Sequence, residues 1–187
     1  MFRGSLPSST RPGASTGAAF AIAEAAGSWS GGRVALGYWQ HPRGYAARFA
    51  GGFARAPQGI YVTASQRLSG APATEDADPS GVVLLAKYGR ADDRVSEAGQ
   101  HLMVGVVVEA PLGREGDATG IMVSHVDLSD DPAAGLAGNE TAVEGFYRVP
   151  AMGFLTLRPD LQLILHPSGD PRLGSALVGT LRAELAF

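Results

Sequence analysis

The stretch from Ala176 to Phe187 alternates without a break. Leu177, Gly179, Leu181, Ala183, Leu185 and Phe187 fall on one face of an extended strand, and Val178, Thr180, Arg182, Glu184 and Ala186 on the other. A period of two marks a β-strand whose faces meet different surroundings. An apolar face backed by one carrying both Arg and Glu, in a chain that stops on an aromatic residue, fits an outer-membrane barrel strand with lipid on one side and the lumen on the other.

The same alternation recurs upstream. Phe154 to His166 sets Leu155, Leu157, Leu161, Leu163 and Leu165 against Thr156, Arg158, Asp160, Gln162, Ile164 and His166, with Pro159 on the apolar face removing one ladder donor and predicting a bulge or an interruption. Glu140 to Pro150 opposes Thr141, Val143, Gly145, Tyr147 and Val149 to Glu140, Ala142, Glu144, Phe146 and Arg148. Thr119 to Asp127, Gln100 to Glu109, Gly81 to Arg90, Gly59 to Leu68 and Arg33 to Gln40 read as further strands, the second of these blurred by Met103 and Val107 on its polar side. Ala18 to Ala25 is alanine-rich and too short to separate strand from helix, and is read as strand. Tyr38 and Trp39 end their strand where a barrel places an aromatic belt, although a soluble core would use them equally well.

The count is eight or nine strands, most of about 9–12 residues, which suits a tilted bilayer crossing. The expected fold is all-β, an antiparallel transmembrane β-barrel, over residues 18–187, after an irregular segment at 1–17. His41 to Gln58 reads as a long loop or irregular hairpin, Ser69 to Ser80 as a polar loop of extracellular type, and Ser129 to Gly138 as a second acidic loop.

Composition narrows the alternatives. Of 187 residues 45% are hydrophobic and only 18% charged, yet no run reaches the roughly 18 uncharged apolar residues of a membrane helix. The 26 Gly and 12 Pro favour short strands and turns over long helices. Cysteine is absent, so no disulfide, thiolate metal site or thiol nucleophile exists. A net charge of −3, spread along the chain, makes no case for nucleic acid. Residues 1–15 carry no uninterrupted apolar core, so no signal peptide is visible in this chain.

Three ordered stretches, T-A-V-E-G-F-Y-R-V (141–149), L-R-P-D-L-Q-L-I-L-H-P-S-G (157–169) and A-L-V-G-T-L-R-A-E-L-A-F (176–187), together with G-R-E-G-D-A-T-G (113–120), resemble the carbohydrate-selective porins of the OprB type. The likeness covers residues 81–187 well and 33–68 more loosely. It implies passive diffusion of sugars through an outer-membrane barrel of about sixteen strands, of which this chain would be the C-terminal half. It further implies a bacterial outer-membrane location, contact with the lipid bilayer and the barrel-assembly machinery, Phe187 as the assembly signal, no cofactor and no catalysis, and either a homo-oligomer or a missing N-terminal half. A barrel of about eight strands closed by itself is filled with side chains and would not conduct.

Alternation places Lys87, Glu144, Arg148, Arg158, Asp160, Gln162, Arg182 and Glu184 on the lumen side. Such multidentate donors and acceptors can bind sugar hydroxyls. Arg158, Asp160 and Arg182 could form a charged ladder, and Tyr61 and Phe146 could stack on sugar faces. Mutual pairing of the charges and ordinary packing of the rings explain the same residues.

Enzymatic and metal readings are weak. Gly13 to Gly17 matches a nucleophile elbow with neither the strand nor the helix that motif needs. His41, His101, His125 and His166 lack metal spacing, and Asp76 with Asp78 is only a fragment of a calcium loop. The sequon at Asn139 has no meaning in a bacterial porin. Two competitors remain: a soluble β-barrel of lipocalin type that binds a small ligand with its apolar face inward, and a non-conducting porin remnant.

Overall fold

A computed structural model of the protein describes residues 20–41, 57–93, 95–136 and 138–186. They form one antiparallel sheet of nine strands, each paired with its neighbours in sequence. The strands are β1 (Ala21–Trp29), β2 (Gly32–Gln40), β3 (Gln58–Arg67), β4 (Gly81–Ala91), β5 (Ala98–Glu109), β6 (Ala118–Leu128), β7 (Asn139–Met152), β8 (Leu155–Leu165) and β9 (Ala176–Leu185). The only helical pieces among the described residues are short 3-10 turns at Pro132–Ala134 and Pro167–Gly169. The described part of the alanine-rich segment is strand from Ala21, and it runs on to Trp29, because its cross-strand partner Arg33–Gln40 is itself a strong strand that pairs with it along its length; residues 18 and 19 lie outside the described residues.

Register carries the alternation through the whole sheet. Leu84 pairs with Val106, Val106 with Ile121, Ile121 with Gly145, Gly145 with Leu161 and Leu161 with Gly179, so apolar residues stack on one face. The other face carries rows such as Gly105, Met122, Glu144 and Gln162. The extensive inter-strand contacts join neighbouring strands, and no second layer covers either face among the described residues. No dry core forms among the described residues: in the strands the buried apolar side chains are Ala35 and Ala118, while Leu36, Leu102, Val104, Ile121, Leu161 and Leu181 stand exposed.

Pro159 behaves differently from one half of its expectation. No register shift occurs there: Phe146 pairs with Asp160 and Val149 with Leu157 in the same frame, while the pairs between them are interrupted. The shift falls instead between Pro150 and Met152, where another proline enters the ladder beside the tight turn at Gly153–Phe154.

Strand direction assigns the connections to two ends. The turn at Ser30–Gly31, the segments 68–80 and 110–117, the turn at Gly153–Phe154 and the end of β9 lie together. The segments 92–97, 129–138 and 166–175 lie at the opposite end. The two acidic loops thus sit at opposite ends, and 69–80, expected as a loop of extracellular type, shares its end with the tight turns. β1 and β9, the edges of the sheet, run in the same direction.

Candidate functional site

The eight residues singled out from sequence share one face of the sheet. Glu144 lies opposite Met122 and Gln162, Lys87 opposite Thr63 and Met103, Asp160 opposite Phe146 and Thr180, Arg158 opposite Arg182, and Glu184 opposite Thr156. Arg148, opposite Ala118, completes the set.

Their pairing is more specific than alternation can show. Arg158 Nη2 donates to Glu144 Oε1 at 2.9 Å, and Gln162 Nε2 donates to Glu144 Oε2 at 3.0 Å, so one carboxylate collects two partners from β8. Arg158 and Glu144 are each 22% exposed, which leaves the pair open to water along one side. The guanidinium carbon stands 4.0 Å from the centre of the Phe146 ring. The ladder imagined from Arg158 through Asp160 to Arg182 does not form. Asp160 is buried, Arg158 has turned away to Glu144, and Arg182 faces Arg158 directly, like charge against like. Arg148 donates to the Gly116 carbonyl at 3.0 Å, which ties β7 to the 110–117 segment.

Four more charged groups belong to the same face, and Tyr61 links to one of them. Arg67 and Glu109 form an ion pair of 2.7 Å, and Arg67 also donates to the Ser80 carbonyl. Tyr61 donates to Glu24 Oε2 at 2.7 Å, and Arg33 reaches the other oxygen of that carboxylate at 3.4 Å. Alternation alone signals Arg33, Arg67 and Glu109; Glu24 is hidden by the alanines around it. Tyr61 and Phe146 do not offer free rings. Each lies over a glycine across the strand pair, Tyr61 on Gly37 and Phe146 on Gly120, where any Cβ would collide with the ring.

The opposite face is apolar through its middle and aromatic at its rims. Tyr38 and Tyr88 mark one end, where their hydroxyls donate to Gln58 at 2.8 Å and Gln100 at 3.2 Å. Trp29 and Tyr147 mark the other, with Trp29 Nε1 donating to Gln66 at 2.7 Å and the Tyr147 hydroxyl to Asp117 at 2.5 Å. Amphipathic rings with satisfied polar tips bounding an apolar band are what a membrane interface selects. Trp39, read with Tyr38 as part of the belt, lies on the polar face, opposite Gly59. Phe187 and the 13–17 motif lie outside the described residues. Among the described residues no cluster of His, Asp or Glu could hold a metal ion.

An uncovered sheet with a lipid-like face, two aromatic rims and a charged reverse face is the wall of an outer-membrane β-barrel. The chain belongs to the carbohydrate-selective porin, OprB family, which matches residues 10–187. Among solved structures it is similar to a high-pH structure of Pseudomonas putida OprB, with a TM-score of 0.73 and 22% sequence identity over 91% of this chain and 49% of that one. The chain therefore spans about half the length of the porin it matches. A comparison with curated proteins found no match. Family membership implies the bacterial outer membrane as the setting, and porins as a class are not enzymes.

Proposed function

We propose that this sheet is one part of the wall of a channel through which sugars diffuse across the outer membrane, with the charged face lining the lumen. The observation that carries the reading is the pair of opposed faces: one uncovered and apolar between aromatic rims, the other holding Arg158, Glu144, Gln162, Arg182 and Lys87. An apolar surface of that extent needs lipid against it, whereas a lipocalin-type fold would have to close with the charged face outward and cover its leucines.

Strand direction constrains how the channel closes. Because β1 and β9 run the same way, joining them to each other, or to a second copy in the same membrane orientation, makes a parallel seam. Bacterial barrels of this class are antiparallel throughout. Closure therefore takes an odd number of strands from outside the described sheet, supplied by the missing portion of the barrel with help from the assembly machinery, and any homo-oligomer is then one of closed barrels. The lumen is wide enough for a solute only in that closed state.

Liposome swelling tests the reading. Vesicles carrying the chain within the closed barrel should swell in isotonic glucose, and vesicles carrying this chain alone should not. Closed barrels that admit glucose no faster than empty vesicles would remove the proposal.

A further inference from the structure

The charges of the lumen-side face are unevenly neutralised. Arg67 is held by Glu109 at 2.7 Å and Arg158 by Glu144 at 2.9 Å. Lys87, in the middle of β4, has no ion pair or hydrogen bond among the described residues, and its cross-strand neighbours are the uncharged Thr63 and Met103. Two strands away on the same face stands Arg33, opposite Ser65 and 53% exposed at its side chain. Its carboxylate partner, Glu24, is 3.4 Å away and already takes the Tyr61 hydroxyl at 2.7 Å. Arg33, Thr63, Ser65 and Lys87 together line a recess of about 130 Å³ with no carboxylate in its wall.

Two cations flanking two hydroxyls, with no acid between them, form a receptor for an oxyanion. The guanidinium offers a planar fork of donors, the ammonium a point charge on a flexible stem, and the hydroxyls add donors that neither cation needs for itself. Neutral sugars gain little from an unpaired ammonium and a loosely paired guanidinium. A phosphoryl or carboxylate group gains both charge-assisted hydrogen bonds and relief of the repulsion between them.

We propose that Arg33, Thr63, Ser65 and Lys87 form an anion subsite in the lumen wall that holds the phosphoryl or carboxylate group of an anionic sugar. This rests on the porin reading, since it requires the polar face to line the channel, and it adds a solute class to it. Arg33 swings from its long contact with Glu24 to the ligand, leaving Glu24 with Tyr61, while Lys87 approaches from β4. Thr63 and Ser65, both on β3, fix the anion between them.

The test uses the barrel prepared for swelling, in detergent micelles, titrated with glucose 6-phosphate, gluconate, inorganic phosphate and glucose. Glucose 6-phosphate should bind saturably, read from broadening of its phosphorus resonance, and inorganic phosphate should displace it. Lys87→Gln and Arg33→Gln should each weaken it about tenfold, the effect of losing one charge-assisted contact, whereas Arg182→Gln, on the same face but away from the recess, should not. Lys87→Arg should retain binding. Gluconate binding without glucose 6-phosphate binding would narrow the site to carboxylates. Absence of saturable binding of either anion to the wild-type protein, or equal weakening by Arg182→Gln, overturns the proposal. Glucose-driven swelling that persists without anion binding would leave the porin reading standing and remove the subsite alone; a barrel that admits no glucose would remove the porin reading and, with it, the subsite's place in a lumen wall, whether or not the recess binds anions.

Discussion

Phe146 lies across Gly120, its partner on the neighbouring strand, so closely that a Cβ at Gly120 would stand 2.7 Å from the ring and 2.8 Å from the Val106 carbonyl. Arg158 then sits over the ring, 4.0 Å from its centre, with Glu144 holding its far end at 2.9 Å. Glycine, ring and guanidinium thus build up from the backbone of β6 on the polar face, and the ring serves as a support for the cation. That arrangement explains why Phe146 does not present a free face to a passing sugar.

Replacing Gly120 by Ala should therefore destabilise the sheet by about 1–3 kcal/mol, because the ring must move and the Val106 carbonyl is backbone that cannot yield easily. Gly145→Ala, at a position with nothing within 4 Å of an added Cβ, is the control. Urea unfolding of both variants in vesicles measures the difference, and equal midpoints would show that the ring relaxes freely.

Removing the carboxylate that Arg158 and Gln162 share should have a larger effect on the channel than on stability. Glu144→Gln leaves a half-buried guanidinium with a neutral partner, and with each side chain 22% exposed the stability cost is about 1 kcal/mol after solvent screening. The released Arg158 is then no longer held over the Phe146 ring. The measurement is a double-mutant cycle of Glu144→Gln with Arg158→Gln alongside glucose-driven swelling. A coupling energy of zero would mean that the pair is decorative.

Ile121 and Met122 are adjacent in sequence and lie on opposite faces. Ile121→Arg should cost about 2–4 kcal/mol, the penalty for a cation near the bilayer midplane, and Met122→Arg much less, since its face is wet and carries Glu144 directly opposite. Unfolding in vesicles decides which face meets lipid. The reverse order would favour the lipocalin-type orientation.

Much of this was legible in the sequence because a period of two survives any error in loop position. Once Leu161, Leu163, Leu177 and Leu181 lie on one face, Arg158, Gln162 and Arg182 must lie on the other. Register supplied what alternation lacks. Glu144 and Gln162 are paired because β7 and β8 are connected by a tight turn at Gly153–Phe154, and a shift by two residues would have matched other partners without changing either face. The Arg158, Asp160 and Arg182 ladder failed for that reason: the spacing puts all three on one face, but only the register shows Arg182 opposite Arg158. The end to which the 69–80 loop belongs was likewise invisible, since it depends on counting strands and not on the loop's polarity. The glycine beneath each of Tyr61 and Phe146 gives no local signal, because the two partners are distant in sequence.

In the 166–175 connection Asp170 and Arg172 form a fork of hydrogen bonds, with Arg172 Nε at 2.9 Å and Nη2 at 2.7 Å from the carboxylate, and the Arg172 amide also donates to it. These bonds, with the positive charge beside them, lower the Asp170 pKa from 3.8 to about 2 and raise that of Arg172. A carboxyl whose folded pKa is depressed adds stability that is fully present above its unfolded value and is lost as pH falls through its folded one. The fork should therefore be intact at pH 5 and be lost as pH drops from about 4 to about 2. Arg172 stays charged across that range, so the carboxyl alone drives the change. The carboxyl carbon resonance of Asp170, followed by NMR against pH in wild type and Arg172→Gln, provides the measurement: the titration midpoint should rise toward that of a free aspartate in the variant. A midpoint that stays low without the guanidinium would assign the depression to the Arg172 amide bond, which the substitution leaves in place, and the fork would have no hold on the loop.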